Sequence, residues 1–225
     1  MTKRKVPFVP GEFYHIYNRG VDKRNIVADR FDLERFFQSM NEFNTVEPIG
    51  SIYENWIRKR IRKKKDPSNQ FGRPTSKLVD FVCYCINPNH YHFLLTQIAD
   101  GGVSEFMKRI GGYSKYFNEK HDRSGALFQG SFKSIHINTN EYLLRVSAYI
   151  NLNYRVHGLT GEALALSKSS WQEYLGESGT SFCSKDIILG QFADWREYES
   201  FAMEVIEDTL QRRSRDAAIQ NIFLE

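Results

Sequence analysis

Apolar and polar residues alternate along two neighbouring stretches, Leu78 to Ile86 and His90 to Gln97, with Asn87-Pro88-Asn89 between them. A period of two is the pattern of strands, and the Asn-Pro-Asn segment turns the chain, so 78–97 is predicted to be a hairpin. Ahead of it, Phe13-Tyr14-His15-Ile16-Tyr17-Asn18 is aromatic and β-branched, as strands are, and Asn18-Arg19-Gly20 ends it with a turn signal. Ser131 to Ile137 predicts a fourth strand. Three other stretches have helical spacing instead. Residues 29–43 carry Phe31, Leu33, Phe36, Phe37, Met40 and Phe43, and residues 103–121 carry Val103, Phe106, Met107, Ile110, Tyr113 and Phe117. The third runs from 139 to 156, with Asn138 and Glu141 as a capping box and Gly158 as its left-handed end. Its inward stripe is Tyr142, Val146, Tyr149, Ile150 and Asn153.

The order is β-α-β-β-α-β-α. The first six elements are a split βαβ arrangement, an α+β core of the ferredoxin-like, RRM-like kind. It predicts a four-stranded antiparallel sheet with helices on one face, followed by one extra helix. Residues 45–77 interrupt the pattern with Pro48, Gly50, Pro67, Gly72 and Pro74, and read as an insertion, half helix and half loop. After residue 160 the pattern weakens. Ser184 can cap a short helix through Leu189, and Trp195, Tyr198, Phe201, Ala202, Val205, Ile206 and Leu210 mark a final amphipathic helix. Residues 1–159 are therefore read as the main domain and 160–225 as a helical extension packed on it or tethered to it.

Charge sharpens this division. The net charge is +4, but residues 1–159 carry +10 and residues 160–225 carry −6. A basic body points to a polyanionic partner. Arg58-Lys59-Arg60-Ile61-Arg62-Lys63-Lys64-Lys65 places seven cations in eight positions, as a solvated face or an interaction arm would. The acidic extension is a candidate to dock on the basic face and restrain it. No apolar run reaches the length of a membrane span. Met1-Thr2-Lys3-Arg4-Lys5 is followed by a proline-containing segment rather than an apolar one, so no signal peptide and a cytoplasmic location are expected. Cys83, Cys85 and Cys183 read as reduced, buried residues, because a zinc site would need a second cysteine pair.

Chemistry centres on His90-Tyr91-His92. On a strand, residues i and i+2 share a face about 6.5–7 Å apart at Cα, so two imidazoles can converge on one metal ion. Two stacked surface histidines fit the same spacing. A metal site needs a third donor, and Asn153 on the inward helical stripe can supply a carbonyl oxygen. Tyr149 lies one turn before it on the same face, as i and i+4. A core tyrosine with its hydroxyl at the edge fits that position equally.

At this point the sequence resembles a known family, the REP-associated tyrosine transposases of the HUH endonuclease superfamily. The resemblance spans roughly residues 7–205. It rests on Tyr14-His15-Ile16-Tyr17-Asn18-Arg19-Gly20, on Pro88-Asn89-His90-Tyr91-His92-Phe93-Leu94-Leu95, and on Tyr116-Phe117-Asn118 with His121. Leu127-Phe128-Gln129-Gly130, Phe132-Lys133-Ser134, Glu141-Tyr142-Leu143, Tyr149-Ile150 with Asn153, and Ser169-Ser170-Trp171 with Tyr174-Leu175-Gly176 complete it. The resemblance implies Mg²⁺ or Mn²⁺ held by His90, His92 and Asn153. It implies that Tyr149 is the nucleophile that cuts single-stranded DNA beside hairpins of palindromic repeats, through a 5′-phosphotyrosine. Tyr154 stands where the family usually has proline, and Ser131 where it usually has arginine. The first should alter only the end of the helix, and the second removes a cation.

With such a substrate, Arg19, Arg109, Lys115, Arg123 and Lys133 are expected to contact DNA, with Arg58, Arg60 and Arg62 adding sequence-blind affinity. Tyr113, Tyr116 and Phe128 are candidates for base stacking, whereas Phe117 reads as core. The protein is expected to act as a monomer or homodimer. Two other functions fit the same elements. One is a non-catalytic single-stranded nucleic-acid-binding module, against which the missing aromatic strand signature of RNA-recognition domains counts. The other is a replication or conjugation initiator nuclease of the same superfamily, which would normally carry further domains.

Overall fold

The structure, a computed structural model, describes residues 7–65, 76–177 and 181–222. The basic segment Met1–Lys5 lies outside them, as does the Arg62 side chain. The first half of the chain runs β1 (Phe13–Arg19), α1 (Arg30–Glu42), α2 (Ile52–Lys65), β2 (Val79–Asn87), β3 (His90–Gln97), α3 (Gly102–Gly111) and α4 (Tyr113–Lys120). Then come β4 (Lys133–Ile137), α5 (Asn140–Asn151), α6 (Asn153–Val156), α7 (Gly161–Ala165), β5 (Lys168–Ser169), α8 (Trp171–Tyr174), α9 (Asp186–Leu189) and α10 (Trp195–Ile222).

The sheet has the order β4-β1-β3-β2-β5, and every neighbouring pair is antiparallel. Its first four strands are the predicted split βαβ core. The fifth is a two-residue strand whose Ser169 and Lys168 pair with Cys85 and Ile86 at the β2 edge.

Alternation in the strands divides the core into two layers. Tyr91, Phe93 and Leu95 of β3 face α1, α3 and α4, in a cluster with Ile16, Phe36, Phe106, Tyr113 and Phe117. Leu94 of β3 faces the other way, toward Val146 and Ile150 of α5 and Tyr198, Ala202 and Val205 of α10. Helices therefore cover both faces of the sheet, where one was expected. The extra helix is what closes the second face, because a half-apolar sheet surface needs a cover.

Local chemistry explains the helix ends. Asp29 caps α1 by accepting from the Asp32 N–H at 2.9 Å. Thr139, not Asn138, caps α5, accepting from the Tyr142 N–H at 3.2 Å. The predicted helix 103–121 breaks at Gly111-Gly112 into α3 and α4, yet both halves keep one apolar face. The predicted helix 139–156 breaks at Leu152, whose φ of −108° and ψ of 19° depart from helical values. That break exists without a proline at 154. Gly158 does end the segment with φ +60°, as its sequence position implied. Tyr142, placed on the inward stripe by spacing, is exposed, and the inward face is instead Leu143, Val146, Ser147, Ile150 and Asn151.

A buried polar network fixes α5. The Tyr198 hydroxyl lies 3.1 Å from Ser147 Oγ and accepts from Asn151 Nδ2 at 3.0 Å. Ser170 Oγ donates to Asn151 Oδ1 at 2.6 Å and accepts from the Tyr84 N–H at 2.9 Å. These bonds tie α5 to α10 and to the edge of β2 on both sides of Tyr149. The acidic extension is held by this network and by the apolar face of α10, with the exposed pair Arg145–Asp208 beside it. Among the described residues no helix is long and apolar enough to cross a membrane.

Candidate metal and tyrosine site

The register of the sheet assembles the site. Arg19 of β1 pairs with His90 of β3, which pairs with Asn87 of β2. In the next inward row, Lys133 pairs with Tyr17, Tyr17 with His92, and His92 with Cys85. Paired residues share a face, so the histidines sit on the side covered by α5. Gly20 closes the end of β1 against the β2–β3 turn, its N–H donating to the Asn89 carbonyl at 2.8 Å. A Cβ there would stand 2.0 Å from the Arg24 carbonyl oxygen, so the turn requires glycine.

His90, His92, Tyr149 and Asn153 converge. His90 Nε2 lies 2.8 Å from Asn153 Oδ1. The His90 and His92 rings are 5.2 Å apart, and the Tyr149 ring stands edge-on to His92 at 5.7 Å. The rows of the sheet also bring in His15 and Asn87, the β2–β3 turn brings Asn89, and the helix end brings His157, none of which had been given a role. His15 Nε2 is 2.8 Å from His92 Nδ1. Asn87 Nδ2 donates to Asn153 Oδ1 at 2.8 Å. His157 packs on His90 with ring centres 4.4 Å apart. The available signal for His15 and Asn87 was polarity at positions where apolar strands enter the core.

Hydrogen bonding settles which atoms are free. Asn89 Nδ2 donates to the Lys23 carbonyl at 3.2 Å, which turns its Oδ1 toward His90. His90 Nδ1 lies 2.6 Å from that oxygen and must donate to it. Burial, more than any neighbour, lowers the His90 pKa, so the ring is neutral and its Nε2 carries a lone pair. Burial likewise brings His15 down to about 4 and holds His92 well below the usual histidine range, with the neighbouring imidazoles adding to the effect at His92. His157 is lowered to about 4 by desolvation, then by His90 and Arg213.

Two acceptors, His90 Nε2 and Asn153 Oδ1, thus face one another at 2.8 Å. Adjacent ligands on an octahedral ion with bonds of about 2.0–2.1 Å stand about 2.8–3.0 Å apart, so this spacing fits a shared divalent cation. The Asn87 amide N–H₂ is within reach of both, at 2.8 and 2.9 Å, and satisfies them in the protein alone. Asn153 Nδ2 is buried and has no hydrogen-bond partner among the described residues. The donor set fits a metal, and it is electrically neutral.

Another cluster, Asp29, Asp32 and His121, brings ligand atoms within 4.8 Å of one another. The Lys120 ammonium already fills it, at 2.7 Å from Asp29 and 2.8 Å from Asp32, and holds the Asp29 carboxyl below its usual pKa. Asp32 also accepts from the Ala28 N–H at 3.0 Å and lies 2.8 Å from His121 Nε2. This cluster fastens α1 to α4.

Tyr149 is half-buried, and its hydroxyl has no hydrogen-bond partner among the described residues. Other expected contacts divide by position. Arg19 and Lys133 are exposed on the site's own rows. Lys115 and Arg123 belong to the α4 layer beneath the opposite face, paired with Glu119 and stacked on Phe117. Arg58 and Arg60 are exposed on α2, where Arg60 covers Trp56. Arg109 is not available to a ligand. It turns inward, donating to the Thr45 carbonyl at 2.6 Å and to Glu105 at 2.8 Å. Tyr113 is core, its hydroxyl donating to the Ile26 carbonyl at 2.7 Å. Tyr116 is half-buried under Arg35, and Phe128 packs edge-on against Tyr91. Phe117 is buried, as its spacing implied.

What the fold and site bring together is a cluster of uncharged donor side chains on a ferredoxin-like sheet, with the Tyr149 phenol beside it. Residues 50–153 match the family model of IS200-like transposases, a stretch that contains His90, His92, Tyr149 and Asn153. The matched stretch is a little under half of the chain. No curated protein matches the chain. A solved structure described as a REP-associated tyrosine transposase bound to a REP hairpin is similar at 14% identity and a TM-score of 0.41, covering 82% of this chain and 98% of that one.

Proposed function

We propose that the protein cuts and rejoins single-stranded DNA, with Tyr149 as nucleophile and His90, His92 and Asn153 as the ligands of Mg²⁺ or Mn²⁺. The observation that carries this reading is the pairing of two neutral acceptors, His90 Nε2 and Asn153 Oδ1, at ligand spacing beside an unpartnered phenol. When bound, the ion would polarise the scissile phosphate and neutralise charge developing on it. The neutral donors would leave the ion's charge undiminished for that phosphate.

The chain's own residues then account for the rest. The Tyr149 oxygen attacks phosphorus and gives up its proton to solvent. The bond from phosphorus to the 3′ oxygen breaks, and that oxygen takes a proton from solvent and leaves as a hydroxyl. A 5′-phosphotyrosine retains the ester, so a second 3′-hydroxyl can reverse the step and join strands. The network through Ser147, Asn151 and Tyr198 holds α5, limiting motion of the nucleophile. Arg19 and Lys133, on the site's rows, would hold flanking phosphates, while Lys115, Arg123, Arg58 and Arg60 would add sequence-blind attraction for DNA away from the site. Arg62 belongs to the same basic run. The substrate implied by the sequence resemblance is single-stranded DNA beside a hairpin formed by a palindromic repeat.

The test uses end-labelled hairpin DNA with a single-stranded flank, incubated with Mn²⁺. A denaturant-resistant protein–DNA adduct is expected, absent with EDTA or with His90→Ala. An adduct that forms equally in EDTA would contradict metal-assisted attack.

A further inference from the structure

We propose that His15 is a positioning residue for the metal site, holding His92 in the tautomer that presents Nε2 to the cation. This rests on the metal reading above and adds a residue to it. His15 lies opposite Leu94, one step diagonal from His92, and both side chains enter the face covered by α5. Diagonal partners across an antiparallel pair are within reach of ring side chains. His15 Nε2 approaches His92 Nδ1 at 2.8 Å, and both residues are buried, so this contact is a hydrogen bond without competing water.

Only two arrangements of its proton exist for neutral rings. In the first, His15 Nε2–H donates to His92 Nδ1, and His92 then carries its proton on Nε2. That tautomer offers a metal nothing. In the second, His92 Nδ1–H donates to a bare His15 Nε2, and His92 Nε2 keeps its lone pair. Metal binding requires the second. The same logic operates at His90, whose Nδ1 donates to Asn89 at 2.6 Å. Both expected histidine ligands thus have a partner on the ring nitrogen away from the cation, as metal-ligating histidines do. At His92 that partner is a neutral imidazole, with no carboxylate to add negative charge.

A purely structural histidine would not set the tautomer of its neighbour or alter metal affinity. The experiment is Mn²⁺ titration calorimetry on the full chain without DNA, comparing the parent with His15→Phe, His15→Gln and His90→Ala. Removal of partners of this kind typically weakens metal binding about ten- to hundredfold, and His15→Phe should fall in that range. His15→Gln, whose amide oxygen can accept from Nδ1–H, should recover most of the affinity. Nitrogen-15 NMR of the metal-free parent should show His92 protonated at Nδ1 and bare at Nε2, a measurement that does not depend on any variant folding. Parent-like Mn²⁺ affinity in His15→Phe, with His90→Ala impaired, would overturn the role of His15 alone. Unchanged affinity in His90→Ala would instead overturn the metal site on which it rests. His92 protonated at Nε2 in the parent would also refute the inference.

Discussion

Acid should unfold the metal-free protein through its buried imidazoles, and His15 gives the size of the effect. Burial lowers its pKa from 6.5 to about 4 in the folded chain. The groups facing it are Tyr17 on its own strand, His92 on β3 and Tyr149 on α5, none of them an anion that could stabilise the protonated ring. Below pH 6.5 the unfolded chain binds a proton at this position that the folded chain refuses, so stability falls as pH falls. The loss from His15 alone is about 2 kcal/mol by pH 5 and about 3 kcal/mol by pH 4, where the folded form begins to titrate and the loss levels off. Carboxylates held low, such as Asp29 and Glu105, act in a more acidic window. Urea unfolding in EDTA at pH 7, 5 and 4 measures the slope for the parent and for His15→Phe. The variant is expected to start less stable and to lose less between pH 7 and pH 5, by about 2 kcal/mol. Equal slopes would refute the assignment of a buried neutral imidazole at this position.

Arg109→Ala should cost about 2 kcal/mol in urea unfolding, because the Thr45 carbonyl and Glu105 lose a charged donor, and should leave DNA affinity unchanged. A loss of DNA affinity at constant stability would restore Arg109 to the DNA-binding surface. Replacing Arg58 and Arg60 by Ala should flatten the dependence of log affinity on log salt for single-stranded DNA by about 0.7 for each phosphate contact removed, and an unchanged slope would remove α2 from the interface. His90→Ala combined with His92→Ala should abolish cleavage while hairpin affinity, measured by gel shift, persists. Loss of folding in that double variant would point to a structural role for the pair.

Much of the fold was legible because burial imposes a period on the sequence. The β3 strand was read at its true limits from the alternation that starts at His90, and β1, β2 and β4 were found close to theirs. The helix breaks were not. Gly111-Gly112 interrupts a run whose apolar face continues unbroken on both sides, so periodicity alone saw one helix. The two-residue β5 is too short to carry a period, and its pairing to Cys85 and Ile86 exists only once the chain has folded. The candidate site was half legible. His90 and His92 have a local spacing that places them on one strand face, whereas Tyr149 and Asn153 fall on α5 and α6, on either side of the break at Leu152. His15 joins them through strand register, and Asn87 through the hairpin that brings it opposite His90. The fate of a cation is less legible still. Nothing near Arg109 in sequence indicates that the Thr45 carbonyl would claim it, whereas Lys133 reaches the site's row through pairing with Tyr17.

Peptide mapping of the protein–DNA adduct is the most direct test of the central claim, that Tyr149 attacks the phosphate. After reaction with hairpin DNA and Mn²⁺, digestion with protease and nuclease followed by mass spectrometry should place a 5′-phosphonucleotide on Tyr149, and Tyr149→Phe should yield no adduct while still binding the hairpin. A modification on another residue, or an undiminished adduct in Tyr149→Phe, would contradict the account.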